Sequence, residues 1–142
     1  MTAYDTDNIF AKILRGEMPA YKVYEDDDVL AFLDIMPRGD GHTLVIPKVP
    51  ARNMTDIAPD DLARLIRGVQ HVAAGVVKAM EGQGFIIQQF NEEAGGQIVF
   101  QLHFHIIPRW EGVRLKPPAA EMADGEVLKA HAAKIAAVFD AS

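Results

Sequence analysis

Gln101, His103 and His105 stand at alternate positions in the stretch from Gln97 to Trp110. Leu102, Phe104 and Ile106 fill the positions between and after them. Alternation with a period of two marks a half-buried strand. On a strand, residues i, i+2 and i+4 share a face. The spacing therefore predicts an amide and two imidazoles in one row, with the apolar row anchored in a core. Three readings of the row are open. The histidines could be half-exposed strand residues with no role. They could share a metal ion with a carboxylate such as Asp34. Or one imidazole could attack phosphorus while its neighbour donates to the phosphate oxygens. The loop Ala94-Gly95-Gly96-Gln97 just before the row favours the third, because glycine lets backbone amides close on an anion.

Other residues fall in around this row. Asp34 ends an apolar strand, either as a turn-capping carboxylate or as an acceptor for a diol such as a ribose edge. His42 opens a strand after a glycine and reads as a hydrogen-bonded structural histidine. His71 and His131 lie in helical segments and read as structural or solvated. Arg109 follows the histidine strand, where it either meets phosphate or covers surface. Asp26-Asp27-Asp28 reads as a solvated turn, without the spacing of a calcium loop.

The elements that must position these groups follow from pattern. Thr6-Asp7-Asn8 offers helix caps before Ile9, Phe10, Ile13 and Leu14, and Gly16 reads as the stop. Tyr21 to Glu25, Val29 to Ile35 and His42 to Ile46 read as strands joined by turns, so their pairing is antiparallel. Thr55-Asp56 and Pro59-Asp60-Asp61 open a long helix whose apolar stripe runs from Leu62 to Met80. Gly68 and Gly75 lie in it and allow close packing. Gly84 to Asn91 is a fourth strand and the histidine strand a fifth. A linker follows Trp110. Glu121 to Phe139 is a last helix with Val127, Leu128, Ile135 and Val138 on one side. The fold class is α+β: a five-stranded antiparallel sheet with packed helices, expected on one face. Residues 1–112 form the main domain, and 113–142 a linker and helix appended to it.

The chain has 142 residues, enough for one domain with a real core. There is no cysteine, so no disulfide and no thiolate metal site. No apolar run nears the ~18 residues of a membrane span, and the start lacks a signal-peptide pattern. The expected compartment is the cytoplasm, with no membrane partner. A net charge of −6 argues against a nucleic-acid partner.

Gln101-Leu102-His103-Phe104-His105-Ile106-Ile107 resembles the signature of the histidine triad (HIT) family. Asn8 to Ile13 with Gly16 to Ala20, Leu30 to Ile35, and Gly41 to Lys48 resemble its earlier blocks in order, and Asn91 with Gly96-Gln97 its pre-signature loop. The resemblance covers residues 7 to 110. It implies a nucleotidyl hydrolase acting on a purine nucleotide, with no cofactor. It makes His103 the nucleophile and places His105 and Gln97 at the phosphate. Asp34 would bind the ribose and Asn91 would lie near the phosphates. Ile9, Phe10, Ile13, Phe32, Leu33 and Ile35 would surround the base. It implies a homodimer with a continuous sheet. The four positions of the family's structural zinc hold Asn8, Ala11, Pro50 and Gln101, so the resemblance is to a zinc-free branch. Ile98 stands where many members carry a hydroxyl.

Overall fold

The computed structural model describes residues 3–140. Residues 1, 2, 141 and 142, assigned above to the ends of the two segments, lie outside it. The elements are α1 (Ile9–Leu14), β1 (Lys22–Glu25), β2 (Val29–Leu33), β3 (Thr43–Pro47), α2 (Pro59–Met80), β4 (Gly84–Gln88), β5 (Phe104–Arg109) and α3 (Gly125–Asp140), with a 3₁₀ turn at Glu93–Gly95. The five strands form one sheet in the order β1-β2-β3-β5-β4. Every pairing is antiparallel. Among the described residues no helix is long and apolar enough to cross a membrane.

Strand alternation sorts the side chains to two faces. Val29, Ala31, Leu33, Val45, Phe104 and Ile106 join a core with Leu65, Val69, Val72 and Val76 of α2 and Leu128 and Ile135 of α3. Leu30, Phe32, Leu44 and Ile46 face the other way and pack with Phe10 and Ile13 of α1. Helices therefore cover both faces, whereas one covered face was expected. The short α1 covers the β2–β3 part of the second face and reaches His103 through Phe10.

The long helix approaches the sheet through glycine. A Cβ on Gly68 would lie 2.7 Å from a methyl of Val29, and one on Gly75 would overlap the Phe139 ring. One glycine seats α2 on the sheet and the other seats α3 on α2. Thr55 and Asp56 do not open the helix. Asp56 instead accepts the backbone N–H groups of Arg52 and Asn53, and α2 begins with Pro59 at its first turn. The C-terminal helix starts at Gly125 rather than Glu121, where Asp124 accepts the N–H of Glu126. Of the residues expected on one side of it, Leu128 and Ile135 are buried and Val127 is exposed.

Candidate active site

The site is built where β5 meets the loop before it. His103 does not lie on a strand; β5 begins at Phe104. Its backbone neighbourhood is held otherwise: Leu102 N–H donates to the Ala51 carbonyl at 2.8 Å, and the His103 ring turns back on the Gln101 carbonyl, Nδ1 to O 2.6 Å. The expected alternation still holds. Leu102 and Phe104 are in the helix-side core, and His103 and His105 share the other face with ring centroids 4.9 Å apart. Phe10 of α1 stands edge-on to His103 at 5.1 Å. Phe90 stands edge-on to His105 at 5.5 Å.

Hydrogen-bond partners set the protonation of each ring. A carbonyl can only accept, so His103 Nδ1 carries the proton and Nε2 keeps its lone pair. The Arg38 backbone N–H donates to His42 Nδ1 at 3.0 Å, so His42 carries its proton on Nε2. That nitrogen is 2.9 Å from His105 Nδ1. It donates there, which leaves the His105 proton on Nε2. One imidazole thus offers a lone pair and its neighbour a donor. Burial pushes all three rings below the usual imidazole range, His42 to about 4 and His105 to about 3, with the neighbouring rings and Arg38 adding to burial for both. All three are neutral near pH 7. His103 Nε2 has no hydrogen-bond partner among the described residues, yet the one buried side-chain nitrogen or oxygen without a partner there is Gln101 Nε2, so His103 Nε2 is accessible to an incoming group.

Asp34 follows β2. Its Oδ1 accepts the Met36 N–H at 2.8 Å, and its Oδ2 lies 3.6 Å from His42 Nε2. Burial raises its pKa against that hydrogen bond. Asp34, His42 and His105 place ligand atoms within 4.8 Å of one another. The metal reading of the sequence, His103 and His105 with a carboxylate such as Asp34, is not the set the fold brings together. In the observed set His42 Nε2 bears a proton and the His105 nitrogen facing it is the acceptor. Their donor chemistry fits an imidazole relay rather than an ion.

The apolar wall divides. Phe10, Ile13 and Phe32 lie together on the site face, with Phe10 and Phe32 rings edge-to-face at 5.2 Å. Ile9 begins α1 and Ile35 follows Asp34, both exposed. Leu33 is a correction: it points to the opposite face, into the core beneath α3, because neighbours on a strand alternate.

Gln97 is a second correction. Its Nε2 donates to the carbonyls of Arg52 and Val99, and its Oε1 accepts from Glu92 N–H and Asn53. Both of its N–H groups are taken, so it braces the loop rather than meeting a phosphate. The backbone N–H groups of Gly95, Gly96 and Gln97 likewise close on Glu92 and Glu93 carbonyls, with Gly96 at φ 95°. Further along, the backbone N–H groups of Ile98 and Val99 donate to no protein acceptor among the described residues. Asn91 accepts from Met54 N–H and pairs with Gln89, which leaves one amide N–H. Arg109 is on the surface, bonded to the Val113 carbonyl.

Under α1, Asn8 caps the helix by accepting the Ala11 N–H at 2.9 Å. The other end of its amide faces Gln101 Oε1 at 3.4 Å, which Tyr4 also reaches. Two of the four positions named above thus meet as neutral amides beside buried Ala11. We expect a chelator to leave the melting temperature unchanged. A fall of several degrees on chelation, reversed by zinc, would contradict this, since a metal that binds only the folded state stabilises it.

A family model described as the HIT domain matches residues 15–112. The chain belongs to the HIT family. It is similar to a crystal structure of a Hit-like protein involved in cell-cycle regulation from Bartonella henselae, at 50% identity and a TM-score of 0.88, covering 96% of this chain and 99% of that one. A zinc-bound histidine triad family protein from Mycobacterium smegmatis is 31% identical with a TM-score of 0.79, over 96% and 99%. Adenylylsulfatase HINT3 of Arabidopsis thaliana is 40% identical over 105 residues, 74% of this chain and 53% of that protein. The five-stranded antiparallel sheet with packed helices is that of these HIT structures.

Proposed function

We propose that this HIT protein binds a purine nucleotide and hydrolyses it at the α-phosphorus through a nucleotidyl-histidine. The observation that carries the reading is the pair of hydrogen bonds that fixes complementary tautomers: Gln101 carbonyl on His103, and His42 on His105. Phe10, Ile13 and Phe32 offer the base an apolar wall, and Asp34 offers the ribose hydroxyls a carboxylate. His103 Nε2 attacks phosphorus in line, forming an N–P bond as the bond to the leaving group breaks; a nucleoside polyphosphate departs as its anion, and an amine departs with a proton taken from water. The ring then carries two substituted nitrogens and a positive charge, which the Gln101 carbonyl stabilises through Nδ1–H. His105 Nε2–H and the Ile98 and Val99 amides stabilise the phosphate oxygens. Water cleaves the N–P bond, releasing nucleoside monophosphate and restoring His103. No metal or cofactor enters these steps.

The HIT family includes hydrolases such as adenylylsulfatase HINT3. The candidate substrates here are nucleoside phosphoramidates and dinucleoside polyphosphates. Incubation with both classes should release AMP from at least one. A protein that binds AMP but releases none from either class would be a binding module instead, a reading favoured by exposed, hydroxyl-free Ile98.

The reading includes a homodimer in the cytoplasm. β4 is an outer strand of the sheet and exposes Phe85 and Ile87, with Ile98 nearby in sequence to the site loop. An apolar open edge is stable when paired or covered. Sedimentation at micromolar concentration should give the dimer mass; a compact monomer would refute the pairing.

A further inference from the structure

We propose that Arg38 is a recognition residue for a second phosphate on the substrate, beyond the one His103 attacks; this rests on the nucleotide reading above. Arg38 lies in the turn between β2 and β3 and is fixed at both ends. Its backbone N–H holds His42 Nδ1 at 3.0 Å, and its carbonyl accepts the Lys116 N–H at 2.8 Å. Its guanidinium Nε donates to the Lys116 carbonyl at 2.9 Å, and Nη1 points at Gln88 Oε1 at 3.4 Å. Gln88 is the residue directly opposite His105 in the β4–β5 register. The cation is therefore carried across the sheet to the histidine face.

Its partners are the unusual feature. Both acceptors are neutral, and among the described residues Arg38 forms no ion pair with a carboxylate. The other arginines that bond to side chains, Arg15, Arg52 and Arg64, each have one. Of the five guanidinium N–H groups, two are engaged, and three remain. The charge is felt at the site, since it helps to depress both His42 and His105. A fixed, half-buried guanidinium with spare donors and no counter-charge suits a phosphate. The segment that holds it, around Lys116, lies beyond the family-model match at 15–112. Ala123 N–H also bonds the Ile35 carbonyl at 2.9 Å, tying the same segment to the turn after Asp34. The second phosphate could sit on the ribose or extend from the α-phosphate, and both present anionic phosphoryl oxygens.

Calorimetric titration of the full chain separates these. The ligands are AMP, ADP, adenosine 2′,5′-bisphosphate and adenosine 3′,5′-bisphosphate, at fixed ionic strength. At least one two-phosphate ligand should bind about tenfold or more tightly than AMP, the factor expected from one charge-assisted contact. Preference for ADP places the phosphate on the chain, and preference for a bisphosphate places it on the ribose. Arg38→Gln should erase most of that preference, and Arg38→Lys should restore part of it. If wild type binds AMP but gains nothing from any second phosphate, the proposal is wrong, whatever the variants do. A preference that survives Arg38→Gln also overturns it. Failure to bind AMP at all would instead remove the nucleotide reading beneath it.

Discussion

His103→Ala should stop the release of nucleoside monophosphate altogether. The ring supplies the attacking atom, so its loss removes the covalent route and not merely a stabilising contact. The geometry adds a prediction about binding. His103 lies edge-on to Phe10 of α1, yet its Nε2 makes no bond among the described residues. Alanine should therefore leave AMP affinity within a few-fold while single-turnover cleavage disappears. His105→Ala removes one donor to the phosphate oxygens and should cost on the order of 10²–10³ in rate, as for other preorganised donors. A His103→Ala protein that turns over at the wild-type rate would end the assignment.

His42→Phe should cost nearly as much as His105→Ala, although His42 faces no substrate atom in the proposed mechanism. Its Nε2–H is what keeps the His105 proton on Nε2. Without that bond His105 is free to place its proton on Nδ1 and present a lone pair to the phosphate. The expected loss is again on the order of 10²–10³ in kcat, with KM little changed. The two residues act as a unit, so the double variant should be no slower than His105→Ala alone. Losses that simply multiply would refute the relay. His42 is buried and also accepts the Arg38 N–H. The variant should thus melt lower, since an unmet buried donor costs roughly 1–3 kcal/mol, and rates are to be compared well below its melting point.

The sequence made some of this legible and hid the rest for physical reasons. The histidine row was readable because a period of two survives even where His103 precedes the strand proper. Phe32 and Leu33 show the limit of a resemblance read as a block: both sit in the same matched segment, yet the pleat sends one to the site and the other to the opposite core. His42 was read as a hydrogen-bonded structural histidine, and it is buried and bonded. Its partner was invisible, because only the sheet order brings β3 beside β5. The family resemblance places Gln97 at the phosphate. Counting its four internal partners required coordinates. Gly68 and Gly75 are poor helix residues whose use became clear only against Val29 and Phe139. Arg38 carried no periodic signal at all, and a turn arginine declares nothing until its acceptors are known to be neutral.

The central claim is that cleavage runs through a nucleotidyl group on His103. The stereochemical course at phosphorus tests it without needing the intermediate to accumulate. A substrate bearing a chiral α-phosphorothioate would be hydrolysed in isotopically labelled water, and the configuration of the released monophosphorothioate determined. Each in-line displacement inverts phosphorus, so attack by His103 followed by attack by water predicts net retention. Net inversion would mean that water attacks directly, and would contradict the account.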